Sequence, residues 1–477
     1  MRRRTASAVL VVAGLLGCAM RVSAQPPPQD RPLMPNIVLI VADDLGIGEV
    51  GAYGQREIQT PSIDRLASQG LRFRQFYSAN PLCAPARCAL MTGRHVGHCR
   101  VWGNDVDYLR PEDVTLAKVL QKGGYATGLF GKWGLSKNDK PESFPTSQGF
   151  DEFFGFLDQR HAHNYFPTFL VHNAGERVPL PNVVPNEMAY GMGDATGETV
   201  YSDDLIAERA RDWVRANKDT RFFLCYTPTL PHINNEGAKA PDGGFEVPDL
   251  GVYKDRDWPL PKKSYAAMIT RLDANVGRLM ALLDDLKLAD RTIVMFTSDN
   301  GSTFLKSAND GRTDVVGDWF NGRGPYRGYK YDVYEGGIRV PTIVRWPGRI
   351  TPGSVTGEVG WFPDIFPTFI GLAGMIAPPG GDGISLGRLF LGVDQPPPER
   401  DFLYWYVTEW PQEAVRQGNW KAVWTIKDKA LVPELFDLDA DPGEQHDVSG
   451  AHHDIMTRLD AIRKREGASK PSILGLK

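Results

Sequence analysis

A chain of 477 residues with 42% hydrophobic and 23% charged residues has the composition of an ordinary globular protein, which argues against a disordered chain or a disulfide-held miniature. Its formal charge is −4, and loss of residues 1–24 would remove Arg2, Arg3, Arg4 and Arg21 but no acids, taking it to −8. That balance argues against nucleic acid as a partner, so any anionic ligand must be met by a local cluster of cations.

Residues 1–24 read as a secretory signal: the arginines, the apolar run Ala8 to Leu16, and the small residues Val22-Ser23-Ala24 before Gln25. Cleavage is expected after Ala24, giving an exported protein, periplasmic or secreted. Leu15-Leu16-Gly17-Cys18 leaves open the alternative of a lipoprotein anchored at Cys18. The apolar run is too short to span a membrane. Four cysteines would remain, Cys83, Cys88, Cys99 and Cys225, too few for a disulfide framework; Cys88 and Cys99 are either bridged or buried free thiols.

After a proline-rich leader (25–34), a catalytic domain is expected over 35–378 and a smaller C-terminal subdomain over 379–477. The first opens on Asn36 to Val41, a continuous apolar run typical of a buried parallel strand. Thr60-Pro61 starts a helix that Gly70 ends. Val114 to Gln121 predicts a second helix before the strand Ala126 to Phe130, and Tyr201 to Ala216 a third before Phe222 to Tyr226. Tyr265 to Leu286 predicts a long amphipathic fourth before the strand Thr292 to Thr297. Strands alternating with helices imply an α/β fold: a large mixed, mostly parallel sheet sandwiched by helices. Short aromatic runs around Phe402 to Val407 and Trp420 to Thr425, then a helix Ile455 to Lys464, predict a small C-terminal antiparallel sheet with one packed helix.

In open parallel sheets ligands bind beyond the carboxyl ends of the strands. Asp43 and Asp44 follow the first strand; Asp299 and Asn300 follow Thr292 to Thr297. Such an all-oxygen set suits a hard divalent cation, calcium or magnesium. An Asp pair at one strand end alone is more simply a turn cap. Lys132 and His232 follow two further strands and are candidates for anion binding and proton transfer. In Cys83-Ala-Pro-Ala-Arg87, Pro85 suits a first helical turn, placing Cys83 at a helix N-terminus with Arg87 one turn on, where an oxyanion would meet amide donors and a guanidinium.

Cys83-x-Pro-x-Arg87 followed by Leu90-x-Thr92-Gly93-Arg94 resembles the signature of type I, formylglycine-dependent, arylsulfatase-like sulfatases of the alkaline phosphatase superfamily. The resemblance extends through Pro35 to Asp44, Thr60 to Leu66, Gly131-Lys132-Trp133, Thr297 to Gly301, Lys330 with Tyr334 to Arg339, and Glu434 to Leu438 with Asp441 to Glu444. It implies that a formylglycine-generating enzyme converts Cys83 to 3-oxoalanine. It further implies that Asp43, Asp44, Asp299, Asn300 and the modified Cys83 bind one calcium ion, that Arg87, Lys132 and Lys330 hold the sulfate, and that His232 assists the leaving alcohol. Glu335 and Arg339 would be structural. One departure stands out: many members carry a histidine after Gly-Lys-Trp, where this chain has Gly134, so His161, His163 or no residue takes that role.

The expected activity is hydrolysis of sulfate monoesters, on sulfated carbohydrates. The polar, aromatic segment Asp158 to Tyr165 suggests a pocket lined by Arg160, His161, His163, Asn164 and Trp102 or Asn104, against the alternative of a solvated loop. The rival readings are a phosphate or phosphonate ester hydrolase of the same superfamily, for which no second set of metal ligands is found, and a non-catalytic protein that binds sulfated glycans.

Overall fold

The computed structural model describes residues 34–303, 316–393 and 398–475. The expected signal, its alternative anchor at Cys18 and the leader before Met34 lie outside the described residues. No described helix is long and apolar enough to cross a membrane.

Ten strands form the main sheet: β1 Asn36–Ala42, β2 Leu71–Tyr77, β3 Ala126–Lys132, β4 Glu152–Phe156, β5 Phe169–His172, β6 Glu176–Pro179, β7 Phe222–Thr227, β8 Thr292–Ser298, β9 Ile343–Arg345 and β10 Ser354–Trp361. Their spatial order is β10-β2-β9-β8-β1-β7-β3-β4-β5-β6. The central block β8-β1-β7-β3-β4 is parallel throughout, and antiparallel pairs enter only around β9, β5 and β6. Every residue of β1 is buried because both faces are covered. Its side chains alternate: Ile37, Leu39 and Val41 enter one core, Val38, Ile40 and Ala42 the other.

Three helices pack the first core, α2 Cys83–Thr92, α3 Leu116–Lys122 and α7 Phe362–Leu372. Three pack the second, α1 Pro61–Ser68, α4 Ser202–Ala216 and α5 Leu260–Asp285. α5 starts one turn earlier than its apolar periodicity indicates, because Pro259 and Pro261 bracket a first turn that needs no apolar stripe. The Tyr334 to Arg339 run forms one helical turn, α6 Glu335–Ile338, and α8 Gly387–Phe390 is as short.

The smaller sheet is an antiparallel meander of β11 Leu403–Val407, β12 Gln412–Gln417, β13 Trp420–Lys427 and β14 Ala430–Asp437. Leu403, Trp405 and Val407 face the first core, while Tyr404 and Tyr406 pack beneath α9 His453–Glu466 through Ile455, Leu459 and Ile462. Trp405 donates to the Ser78 carbonyl at 2.8 Å, and Asn80 donates to the Tyr406 carbonyl at 2.7 Å. These bonds fix the small sheet to the loop that leads into α2.

Candidate functional site

Parallel pairing in register puts the strand ends side by side. Ala42 of β1 pairs with Ser298 of β8, so Asp43 and Asp44 emerge beside Asp299 and Asn300. Gly131 of β3 pairs with Thr227 of β7, which brings Lys132 and the Thr229 to His232 turn to the same edge. α2 then delivers Cys83 onto this edge from the loop after β2. Asp43, Asp44, Asp299, Asn300, Arg87, Lys132, His232 and Lys330 are all buried there.

Cys83 Sγ lies 3.3 Å from Asp43 Oδ1 and 3.7 Å from Asn300 Oδ1. Asp44 takes φ of 65°, rare for a residue with a side chain, and its N–H donates to Asp299 Oδ1 at 3.2 Å. Lys132 Nζ donates to Asp43 at 2.6 Å, Lys330 Nζ to Asp44 at 2.8 Å, and Arg87 to Asp299 at 2.8 and 3.0 Å. Three carboxylates thus meet three cations away from water. Burial raises the Asp43 carboxyl, but Lys132, His232, Arg87 and Lys330 outweigh it and hold it well below the usual range. Burial and Asp43 push Asp299 up to about 6. Burial opposes the charge of Lys330, yet Asp44 and Cys83 hold its ammonium well above the ordinary value.

Burial pushes the Cys83 thiol well up, and Asp299 and Asp43 push it further. The converging carboxylate and amide oxygens fit a hard divalent cation, which takes oxygen ligands and tolerates a buried, charge-dense cage.

Cys83 is the first residue of α2, after the extended Leu82. Asn104 Oδ1 accepts from the Ala84 N–H at 3.1 Å and so satisfies one otherwise open amide of this helix end. His232 is held by its chain: its Nδ1 donates to the Ile233 carbonyl at 2.7 Å, and Tyr165 OH donates to the Thr229 and His232 carbonyls at 2.8 and 2.5 Å. Asp203, at the start of α4, accepts from Thr229 N at 3.0 Å. Sequence reasoning missed Asp203 because a first-turn acid reads as helix capping, and it missed Ser78, whose hydroxyl donates to the Asp299 carbonyl at 2.5 Å, because one serine after a strand carries no signal.

The remaining pocket candidates divide. His163 stacks on His232 with centroids 4.9 Å apart and Nδ1 3.1 Å from Glu236 Oε2. Arg160 is exposed and pairs with Asp105 at 3.0 Å. His161 lies elsewhere: it is buried against Phe156 and Phe169, its Nε2 is 3.1 Å from the Phe169 carbonyl, and burial lowers it to about 4. Asn164 is buried and donates to the Gly191 carbonyl at 3.3 Å. Trp102 packs on Tyr406 of the small sheet. Gly134 has φ of 72°, a conformation that strains any residue with a side chain, and a Cβ there would lie 2.3 Å from Nε2 at the movable end of Gln159. Glu335 accepts from Lys421 at 3.0 Å and from Arg339 at 3.1 Å in a buried cluster. Cys88 and Cys99 are free buried thiols.

A large, mostly parallel sheet with the Cys83 helix and a carboxylate cage at its carboxyl edge defines the alkaline-phosphatase-like α/β class. The chain belongs to the sulfatase family, whose model matches residues 35–375, and is a sulfuric ester hydrolase. A second model, described as N-sulphoglucosamine sulphohydrolase, C-terminal, matches residues 327–465. The chain is 32% identical to arylsulfatase A of Homo sapiens over 90% of its own length and 87% of that protein. It is 30% identical to N-acetylgalactosamine-6-O-sulfatase of Bacteroides thetaiotaomicron over 94% and 96%. The crystal structure of Ps i-CgsB in complex with k-i-k-neocarrahexaose superposes with a TM-score of 0.73 at 28% identity, covering 92% of this chain and 94% of that one.

Proposed function

We propose that the protein removes sulfate from sulfated carbohydrates, with 3-oxoalanine formed from Cys83 as the nucleophilic residue and one calcium ion held by Asp43, Asp44, Asp299, Asn300 and residue 83. The observation that carries this reading is the Cys83 side chain itself, at the start of α2 and wedged between Asp43 and Asn300 at 3.3 and 3.7 Å. Relatives named for an N-acetylgalactosamine sulfate and a structure holding a neocarrahexaose support the carbohydrate class.

When bound, the divalent ion and the aldehyde hydrate together would supply a nucleophilic oxygen and neutralise charge on the ester. The chain's own groups do the rest. Arg87, Lys132 and Lys330 bind the sulfate oxygens, offsetting the repulsion that slows attack on an anion. Their burial strengthens those contacts relative to water. His232 and Lys330 flank the leaving oxygen. Tyr165 and Asp203 hold the His232 turn, and Asn104 holds the start of α2.

Peptide mass spectrometry of protein made with a formylglycine-generating enzyme, beside aryl sulfate and phosphate ester assays with and without calcium, tests the reading. The expected result is an aldehyde at position 83 with calcium-dependent sulfate release that Cys83→Ala abolishes. Turnover of phosphate esters alone, or binding of sulfated sugars without turnover by the converted protein, would overturn it.

A further inference from the structure

Glu49 is a carboxylate with no part in the proposed chemistry, yet it is completely buried in the segment that follows Asp44. Its partners among the described residues are neutral. Oε2 accepts the Gly46 N–H at 2.6 Å, and Oε1 accepts the Ser302 and Tyr265 hydroxyls at 2.8 and 2.6 Å. Taking a carboxyl out of water without a cation beside it is costly, and burial pushes this one up to about 7. A buried polar group kept at such a cost calls for an account beyond packing.

The two oxygens of Glu49 reach the two chain segments that carry the cage. Gly46 lies two residues after Asp44, in the turn that the left-handed Asp44 begins, and between them the Leu45 N–H donates to Ser298 Oγ of β8 at 2.9 Å. Ser302 lies two residues after Asn300, and its carbonyl accepts the Lys330 N–H at 2.9 Å. One side chain thus ties the Asp43–Asp44 turn to the Asp299–Asn300 segment and, through Ser302, to the backbone of Lys330. Tyr265 anchors the same carboxylate to α5. The fit is close: a Cβ at Gly322 would lie 2.4 Å from Glu49 Oε1 and 2.6 Å from Ser302 Oγ, so the chain closes directly over the pair.

We propose that Glu49 is a positioning residue for the cation, setting the separation of the Asp43–Asp44 and Asp299–Asn300 pairs by the reach of its side chain. It acts through the N–H of Gly46 and the hydroxyl of Ser302, not by ligation. Groups that hold metal ligands in place typically contribute about 10–100-fold to metal affinity. Charge is not what the role needs. A glutamine has the same reach: its oxygen can accept from Gly46 while its amide donates to the two hydroxyls, which accept as well as donate. An aspartate keeps the charge but is a methylene too short to hold both arms. The inference rests on the calcium reading and deepens it by naming what spaces the cage.

The test is calcium titration by isothermal calorimetry on converted, chelator-treated protein, with thermal melts of the same samples. We expect Glu49→Asp to weaken calcium binding by about ten-fold or more, and Glu49→Gln to stay within about three-fold of the wild type. Ser302→Ala keeps the carboxylate and cuts one arm, so it should weaken calcium by about three-fold or more, and it carries the test if Glu49→Asp does not fold. Glu466→Gln, in α9, should lower Tm with calcium affinity unchanged, which separates lost stability from lost positioning. Calcium bound by Glu49→Asp or Ser302→Ala as tightly as by the wild type would overturn this inference and leave the calcium reading standing. So would a loss in Glu49→Gln as large as in Glu49→Asp, since charge and not reach would then be the operative property. No calcium binding by the wild type would overturn both.

Discussion

Lys330 Nζ lies 3.0 Å from Nε2 of His232, and Nδ1 of the same ring lies 2.7 Å from the Ile233 carbonyl. A carbonyl only accepts, so Nδ1 carries the ring proton. Burial and the charge of Lys330 hold His232 well below its ordinary value, which makes Nε2 a lone pair that accepts from the ammonium. On the proposed reading the proton offered to the leaving oxygen is that of Lys330, with His232 fixing its direction.

That assignment separates substrates by leaving group. A sugar alkoxide needs protonation as it departs, whereas 4-nitrophenolate does not. Lys330→Met is expected to lower kcat on a sugar sulfate by about 10²–10⁴-fold, the usual contribution of general acid catalysis, and to lower 4-nitrophenyl sulfate turnover much less. Equal losses on both, measured side by side, would place Lys330 in sulfate binding alone.

Asn104 bridges the Cys83 helix and the small sheet through Ala84 N and Glu409 Oε1. Asn104→Ala leaves a helix-end amide without its acceptor, and side-chain caps of this kind contribute about 0.5–2 kcal/mol. The expected outcome is a lowered Tm in thermal melts together with a lower kcat, because the helix start that frays is the one carrying residue 83. Asn104→Asp, which retains the acceptor, should restore most of the Tm.

Much of this arrangement is legible in the sequence, and what is legible has a physical reason. β1, β3, β7 and β8 are buried on both faces and so are continuous apolar runs, and the polar residues that end them are the site. β2, by contrast, is the mixed Leu-Arg-Phe-Arg-Gln-Phe-Tyr, with Arg72, Arg74 and Gln75 reaching solvent, and β10 is the weakly apolar Ser-Val-Thr-Gly-Glu-Val-Gly-Trp. Such strands lack a run to read, and pairing with a distant partner decides them. His161 and His163 sit two residues apart in one polar segment, yet one turns into an aromatic core and the other stacks on His232. Only the path of the loop separates them.

Lys421, fully buried in β13, contacts Glu335 at 3.0 Å and Glu444 at 2.8 Å. Burial raises the Glu335 carboxyl, but Lys421, Arg339 and Arg416 overcome it and bring it down to about 2. Lys421→Met leaves the buried Glu444 without its cation, while Glu335 keeps Arg339. Breaking a buried pair from one side typically costs about 3–5 kcal/mol, and a loss of that size is expected in denaturant unfolding. Because Glu335 begins the turn that follows Lys330, KM for sulfate esters should rise as well.

Gly134 marks the departure from the family pattern. Its φ is 72°, and any Cβ at this position would fall 2.3 Å from Gln159 Nε2. Gly134→His should therefore destabilise the protein by about 1–2 kcal/mol from backbone handedness, with the Gln159 side chain moving aside. Turnover should fall with stability and not rise. A gain in kcat in this variant would show that the site lacks an imidazole it can still use.

His95 Nδ1 accepts the Gly97 N–H at 3.0 Å, so its Nε2 bears the proton and donates to Glu466 Oε2 at 3.1 Å, joining α9 to the segment after α2. That hydrogen bond, against a smaller opposing effect of burial, lowers the Glu466 carboxyl from 4.5 to about 2. A carboxyl depressed on folding stabilises fully above its unfolded value and loses that contribution as pH falls toward its folded one. The wild-type protein should therefore melt above Glu466→Gln near pH 5, and the margin should shrink steadily between pH 4.5 and 2. Thermal melts across that range check it, since a margin that did not change with pH would mean that the contact stabilises through packing and not through the carboxylate's charge.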